Sequence, residues 1–289
     1  MFTSRYSVIP GFWLSLGYTL SWLSLIVLLP LAALFLYASH IHLDQLIHIL
    51  SNRQLQSALK LSLYTSFYAA LLASIFGSFL AWMLTRHSFV GKKLIDSMID
   101  LPLALPTAIA GIALTTLYAP NGLIGSFLPF KVAYTPLGIV IAMVFVTIPF
   151  TVRTLEPIIK DIPHSVEEAA KTLGATPLQT FLYIIFPMLF PTWLTGFSLA
   201  MARSLGEYGS VVFIAANIPY KTEILPILIV SKLDQFDYTG ATVISMLMLI
   251  ISFALLFAIN LIQRWIKPHR LIWFITHSSL PRTSKKNSP

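Results

Sequence analysis

Charged side chains are scarce in this sequence, and the few inside apolar runs are where chemistry could reside. Of 11 acidic residues, only Asp96, Asp100 and Glu207 lie in or beside long apolar stretches, and Arg203 stands one helical turn before Glu207. An arginine within such a helix is costly and faces a bundle interior or a watery cavity. A helix brings Arg203 and Glu207 together, either as a self-satisfied ion pair at a helix end or as charge lining an anion path. Asp96 and Asp100 share a helix face by the same spacing, with Arg86 or Lys92 as the cations within reach. Pro102 and Pro106 follow at once. Prolines in membrane helices are tolerated where neighbours re-satisfy the freed carbonyls, so this pair marks a broken helix lining a passage.

Three intramembrane carboxylates are too few for a proton relay. His40, His42 and His48 lie in or just before an amphipathic connector, IHLDQLIHIL (41–50), without a carboxylate or cysteine cluster, and read as interfacial histidines and not as metal ligands. There is no cysteine nucleophile or thiolate site, because the chain has none. No G-x-x-x-x-G-K-[ST], H-E-x-x-H, G-x-S-x-G or dinucleotide fingerprint occurs. We therefore expect no catalytic residue, cofactor or metal. A transporter with neither motor nor proton path needs an external motor.

The elements that position these residues are membrane spans. The chain of 289 residues is 56% hydrophobic and only 10% charged, with mean hydropathy +0.79, far from the roughly 25% charge of soluble domains. Six runs approach the ~20 residues a bilayer needs: 13–38, 58–85, 94–118, 137–152, 188–212 and 241–262. The first is too long for a signal-peptide core and lacks a small-residue cleavage site, so it is retained as a helix. A cytoplasmic N-terminus puts Arg5, Arg86, Lys92, Lys93, Arg153, Lys160, Lys171, Arg264, Lys267, Arg270, Arg282, Lys285 and Lys286 inside, against Arg53, Lys60, Lys131, Lys221 and Lys232 outside. That asymmetry places both termini in the cytoplasm. The net charge of +8 thus serves topology, not nucleic acid. Between residues 215 and 238 an outer loop contains ILPILIVSKL, too short to span and expected to pack over the bundle. The basic tail 264–289 is expected on the inner membrane surface.

One stretch between spans, SVEEAAKTLGATPLQTFLYIIFP (165–187), carries coherent local signals. Ser165 and Glu168 form a capping box opening a short helix. Val166, Ala169, Ala170 and Leu173 recur at i, i+3, i+4 and i+7 as a narrow apolar face, with Glu167 and Lys171 off it. Gly174 supplies the left-handed stop, and Thr176 with Pro177 an N-cap and first position for the next helix. Such an elbow either lies on lipid headgroups or seats in another protein. The short face and mixed Glu/Lys edge suit a protein socket better.

Glu168-Ala169-Ala170, Gly174 and Ile184-x-Phe186-Pro187 resemble the EAA loop of bacterial ABC-importer permeases, with Phe186 where leucine is usual. DLPLALPTAIAG (100–111), IPFTVRTLEPII (148–159), RSLGEYG (203–209) and FIAANIPYKTE (213–223) are similar to the sulfate/thiosulfate branch across about residues 8 to 265. RSLGE-aromatic-G also resembles molybdate permeases, and Tyr208 stands where phenylalanine is common. The resemblance implies an all-α, six-span type I importer permease. Residues 1–57 would be a first helix and outer connector, 58–263 the permease domain with coupling loop 153–187, and 264–289 the tail. It further implies a sister permease in a heterodimer, two ATP-binding cassette subunits inside, an oxyanion-binding protein outside, and a bacterial inner or plastid membrane. The coupling residues it implies are Glu167, Glu168, Ala169, Ala170, Leu173, Gly174 and Pro187. The reading from residues adds Arg203, Glu207, Pro102 and Pro106 as the pathway or gate. The alternatives are a molybdate/tungstate permease and an ion-coupled anion transporter; the latter predicts inverted repeats, and none is found between the halves.

Overall fold

The computed structural model describes residues 11–266, all helix and connector with no strand among them. Arg5 and the tail from residue 267 onward, with the expectations attached to them, lie outside the described residues. The helices are α1 Phe12–Ser39, α2 Leu43–Leu50, α3 Arg53–Arg86, α4 Lys92–Ala104, α5 Thr107–Tyr118 and α6 Pro136–Asp161. After them come α7 His164–Thr172, α8 Pro177–Leu205, α9 Gly209–Ala215, α10 Leu225–Asp234 and α11 Tyr238–Ile266. Five are long and apolar enough to cross a membrane, and α4 with α5 form a sixth crossing if the bent pair is one span.

The bundle centres on α3, α6 and α8. Along α3 the buried positions are almost all small: Ala58, Ser62, Thr65, Ser66, Ala69, Ala70, Ala73, Ser74, Gly77 and Ala81. Lipid tails give little apolar drive for helix association, so close van der Waals approach has to supply it, and small residues permit that approach. At Gly77 an added Cβ would lie 2.9 Å from the Thr151 Cβ, and at Gly196 one would lie 3.3 Å from the Thr151 backbone. Thr151 of α6 is therefore clasped between a glycine of α3 and a glycine of α8.

The fifth span differs from the expected 188–212. Its helix begins at Pro177 and stops at Leu205, and a separate short helix resumes at Gly209. Pro187 does not end the preceding helix because the turn before it, Phe181–Ile185, widens to π-type, which accommodates the missing N–H. The fourth span likewise runs on to Asp161 through Pro149 and Pro157, well past the expected end at 152. By contrast, α1 buries no residue and packs among the described residues mainly by its second half, against α11. The connector after α1 is an amphipathic helix, α2, as its sequence predicts.

The segment 215–238 folds over the bundle as expected. Ala216, Asn217 and Tyr220 take positive φ, Thr222 Oγ1 donates to the Ala215 carbonyl at 2.6 Å, and Leu225 N donates to Ser62 Oγ at 2.7 Å. Leu225, Pro226, Ile227 and Leu228 of α10 are buried. Asp237 accepts from Gly240 N at 2.8 Å, which caps α11, and pairs with Lys232 at 3.0 Å. The Gly240 N–H first, then Lys232, hold its carboxyl below the usual range against the opposing effect of burial. A lowered folded value means that this contribution is complete above the unfolded pKa of ~3.9 and is lost as pH falls through the folded one. Asp237→Asn should accordingly lower the thermal midpoint at neutral pH, with the difference shrinking below about pH 4. A difference that stayed constant down to acid pH would refute the assignment.

Candidate functional site: two broken spans and an elbow

The third span breaks where proline chemistry predicts, by 112° between α4 and α5. The two prolines play different parts. Pro102 sits inside α4 and is buried; Pro106 is the N-cap of α5, its carbonyl accepting from Ile109 N at 3.0 Å and Ala110 N at 3.3 Å. The break belongs to Pro106, whose ring disfavours helical backbone at Leu105; Leu105 is extended, at ψ 139.

The fifth span breaks beside it. An added Cβ at Gly111 would lie 2.5 Å from the Ser210 carbonyl oxygen, and one at Gly209 would collide with Thr107 Oγ1. Hence α5 and α9 lie backbone to backbone. Pro106 and the 206–208 break come together, while Pro102 stands a turn away on α4.

Arg203 and Glu207 pair at 2.6 Å, as their spacing predicts. Arg203 is in the last turn of α8, where the carbonyl ends of the helix favour a cation. The Glu207 side chain, 2% exposed, also accepts from Ser210 N and Ser210 Oγ, each at 3.0 Å, and so caps α9. Each charge is thus met twice, once by its partner and once by a helix end. Arg203 keeps a face open, its side chain being 35% exposed.

Asp96 and Asp100 do not pair with Arg86 or Lys92. Both are bound by Arg153 of α6, which Nη1 ties to Asp96 Oδ1 at 2.7 Å and Nη2 to Asp100 Oδ2 at 2.6 Å. The same guanidinium meets Glu156 Oε2 at 2.8 Å, and Glu156 also takes Lys160 at 2.9 Å. Sequence proximity misled here. The planar five-donor fork of arginine serves several carboxylates at once, and α4 lies along α6, so a partner 53 residues away wins. Arg153 was missed as a site residue; its signal was an arginine one residue beyond an expected span end, with Glu156 at i+3.

Arg86 is engaged elsewhere. Its Nη2 donates to the Ile162 carbonyl at 2.8 Å and stands 3.5 Å from Glu167 Oε1, and its guanidinium lies over Trp82, 5.4 Å from the ring centre.

The elbow forms, with one correction. Helix α7 starts at His164 behind Pro163, and Ser165 makes no cap, since it is already inside the helix. Pro163 disfavours helical backbone at Ile162, which is extended, so α6 stops there and the next helix opens at His164, ahead of the expected cap. The stop is a Schellman turn: Gly174 at φ 83, Ala175 N donating to the Ala170 carbonyl and Gly174 N to the Lys171 carbonyl, both at 3.0 Å. The capping box lies one turn later, between Thr176 and Gln179. Ala170 is buried; Glu168, Ala169 and Leu173 face outward, Leu173 at 88% exposure. Glu167 is partly buried against Arg86, and Pro187 lies exposed within α8, beyond the bend.

Residues 73–271 match the family described as binding-protein-dependent transport system inner membrane component. The sulfate transport system permease protein CysT of Salmonella typhimurium is 46% identical over 259 residues, which cover 89% of this chain and 94% of that protein. The probable sulfate transport system permease protein cysT of Chlorokybus atmophyticus is 46% identical over 248 residues, covering 85% and 87%. Among solved structures, a bacterial ABC transporter involved in the import of the acidic polysaccharide alginate aligns at TM-score 0.75 and 18% identity, covering 88% of this chain and 95% of that one. At that identity the likeness concerns fold alone. With a family model spanning most of its length and relatives at this identity, the chain belongs to the inner-membrane components of binding-protein-dependent transport systems.

Proposed function

We propose that this chain is the permease subunit of an ATP-driven importer of sulfate and thiosulfate, with the ATPase on a separate subunit. Relatives 46% identical are named as sulfate permeases, which favours sulfate over molybdate or tungstate. The observation that carries the motor-driven mechanism is the elbow. A double turn presents Glu168, Ala169, Leu173 and Gly174 outward, with Ala170 buried on its other side. Cassette closure acting on such an arm would tilt the attached spans as a rigid body.

The remaining parts follow from the same reading. Residues 58–263 form the permease domain, entered through the first helix and outer connector 1–57, and 264–289 is a cytoplasmic tail. Both termini face the cytoplasm of a bacterial inner membrane, or the equivalent side of a plastid membrane. The partners are a sister permease, two cassette subunits docked on 153–187, an external oxyanion-binding protein and membrane lipid. Arg203, with its exposed face, sets the electrostatics of the anion path beside Pro106, and Glu207 holds it in place.

The test is reconstitution with those partners in vesicles, following labelled sulfate and labelled molybdate. ATP-dependent sulfate accumulation in preference to molybdate is expected; uptake without a cassette protein would overturn the proposal. Gly174→Asp should keep ATP hydrolysis while uptake falls about tenfold or more, the size of a typical coupling energy between sites. Unimpaired uptake in that variant would count against the docking role.

A further inference from the structure

We propose that Arg86 is a positioning residue that joins the elbow to α3, so that the central helix of the bundle is driven directly. The inference rests on the reading of the elbow as the docking arm. By covalent continuity alone, the elbow could pull only on α6, which enters it, and α8, which leaves it. Arg86 is the last residue of α3, and its side chain is 6% exposed. It reaches across to the start of the elbow at three places. Nη2 donates to the carbonyl of Ile162, the residue closing α6, at 2.8 Å. Nη1 lies 3.2 Å from the ring nitrogens of His164, the first residue of α7. Nη2 also stands 3.5 Å from Glu167 Oε1. Behind it the guanidinium is backed by Trp82 of the same helix, which fixes its plane.

This joint is incomplete. The Arg86 Nε–H and Glu167 Oε1 are both buried, and neither has a hydrogen-bond partner among the described residues. A buried donor and a buried charged acceptor left unmade are expensive, and with Glu167 Oε1 only 3.5 Å from Nη2 of the same guanidinium they favour closure. A small rotation of α7 toward α3 would bring Glu167 into hydrogen-bonding range of the same guanidinium, replacing or adding to the His164 contact. Arg86 thus has two sets of partners that differ by a movement of α7. A two-position contact of this kind converts a push on the elbow into a defined displacement of α3. Arginine suits the task because its fork holds several acceptors in one plane, which a lysine ammonium does not.

The experiment uses the assembled importer in vesicles, with sulfate uptake and ATP hydrolysis measured on the same preparation and the yield of assembled complex measured beside them. For Arg86→Gln, hydrolysis continues and sulfate carried per ATP falls about tenfold, the order of a single inter-site coupling. Glu167→Gln lowers the same ratio less, and Arg86→Lys recovers part of it. An unchanged ratio in Arg86→Gln would overturn the proposal. So would losses of assembly, hydrolysis and uptake in equal proportion in both Arg86→Gln and Glu167→Gln, since that marks a purely structural contact. Gly174→Asp separates the two readings. If it uncouples while Arg86→Gln transports normally, docking stands and the joint fails; if Gly174→Asp transports normally, the docking reading itself has failed.

Discussion

Replacing Arg153 with alanine will release α4 from the bundle and abolish uptake. The side chain is the common cation for Asp96, Asp100 and Glu156, and two of those contacts are the principal polar ties between α4 and α6. Exposed ion pairs contribute only about 0–1 kcal/mol each. Asp96 and Asp100 are nearly half exposed, whereas Glu156 is 14% exposed. Removing the cation also sets three carboxylates against one another, and removing one side of a buried pair is worth about 3–5 kcal/mol. Discounting for water access, a loss on the order of 2–3 kcal/mol is expected for α4 docking. The apolar anchor left is slight, since only Ile99 and Pro102 of α4 are buried. Limited proteolysis between α3 and α4, with the thermal midpoint in detergent, reads this directly. Arg153→Lys should restore one pair and part of the stability. An Arg153→Ala protein as protease-resistant as the parent would show that apolar packing alone holds α4.

The second large effect is an asymmetry within the Arg203–Glu207 pair. Glu207→Ala removes a carboxylate that neutralises Arg203 and caps α9 through Ser210 N and Oγ. The buried Ser210 N–H and hydroxyl lose their acceptor, at a cost of about 1–3 kcal/mol for an unmet buried donor, and Arg203 loses its counter-ion, so the yield of folded, assembled complex should fall. Arg203→Ala leaves Glu207 with both Ser210 donors and removes a side chain that is one-third exposed. Its effect on assembly should be small beside its effect on anion uptake per assembled complex. Should the two variants lose assembly and uptake in step, Arg203 serves the helix end and not the path.

Much of this protein was legible in its residues, and the reasons are local. Gly174 announced a left-handed stop and Thr176 with Pro177 a restart, because capping depends on a few adjacent residues. Arg203 and Glu207 were paired by helical spacing alone. Pro106 marked the broken span, since the ring restricts the residue before it wherever the chain goes. Ser165 misled, because Pro163 opened the helix first. The end of the fourth span and the start of the fifth also misled, since prolines at 149, 157 and 187 are absorbed inside helices that neighbours support.

The sequence by itself determined the apolar segments, most of their caps and breaks, and that no P-loop pattern occurs in it, because each follows from composition or from residues within a turn or two. Only the tertiary structure decided which helices meet. It gave Asp96 and Asp100 to Arg153 and Arg86 to the elbow, and it laid α5 against α9. Those pairings join residues 53 to more than 90 positions apart, and they depend on where small residues let backbones approach, a property of the assembled bundle that no single segment carries.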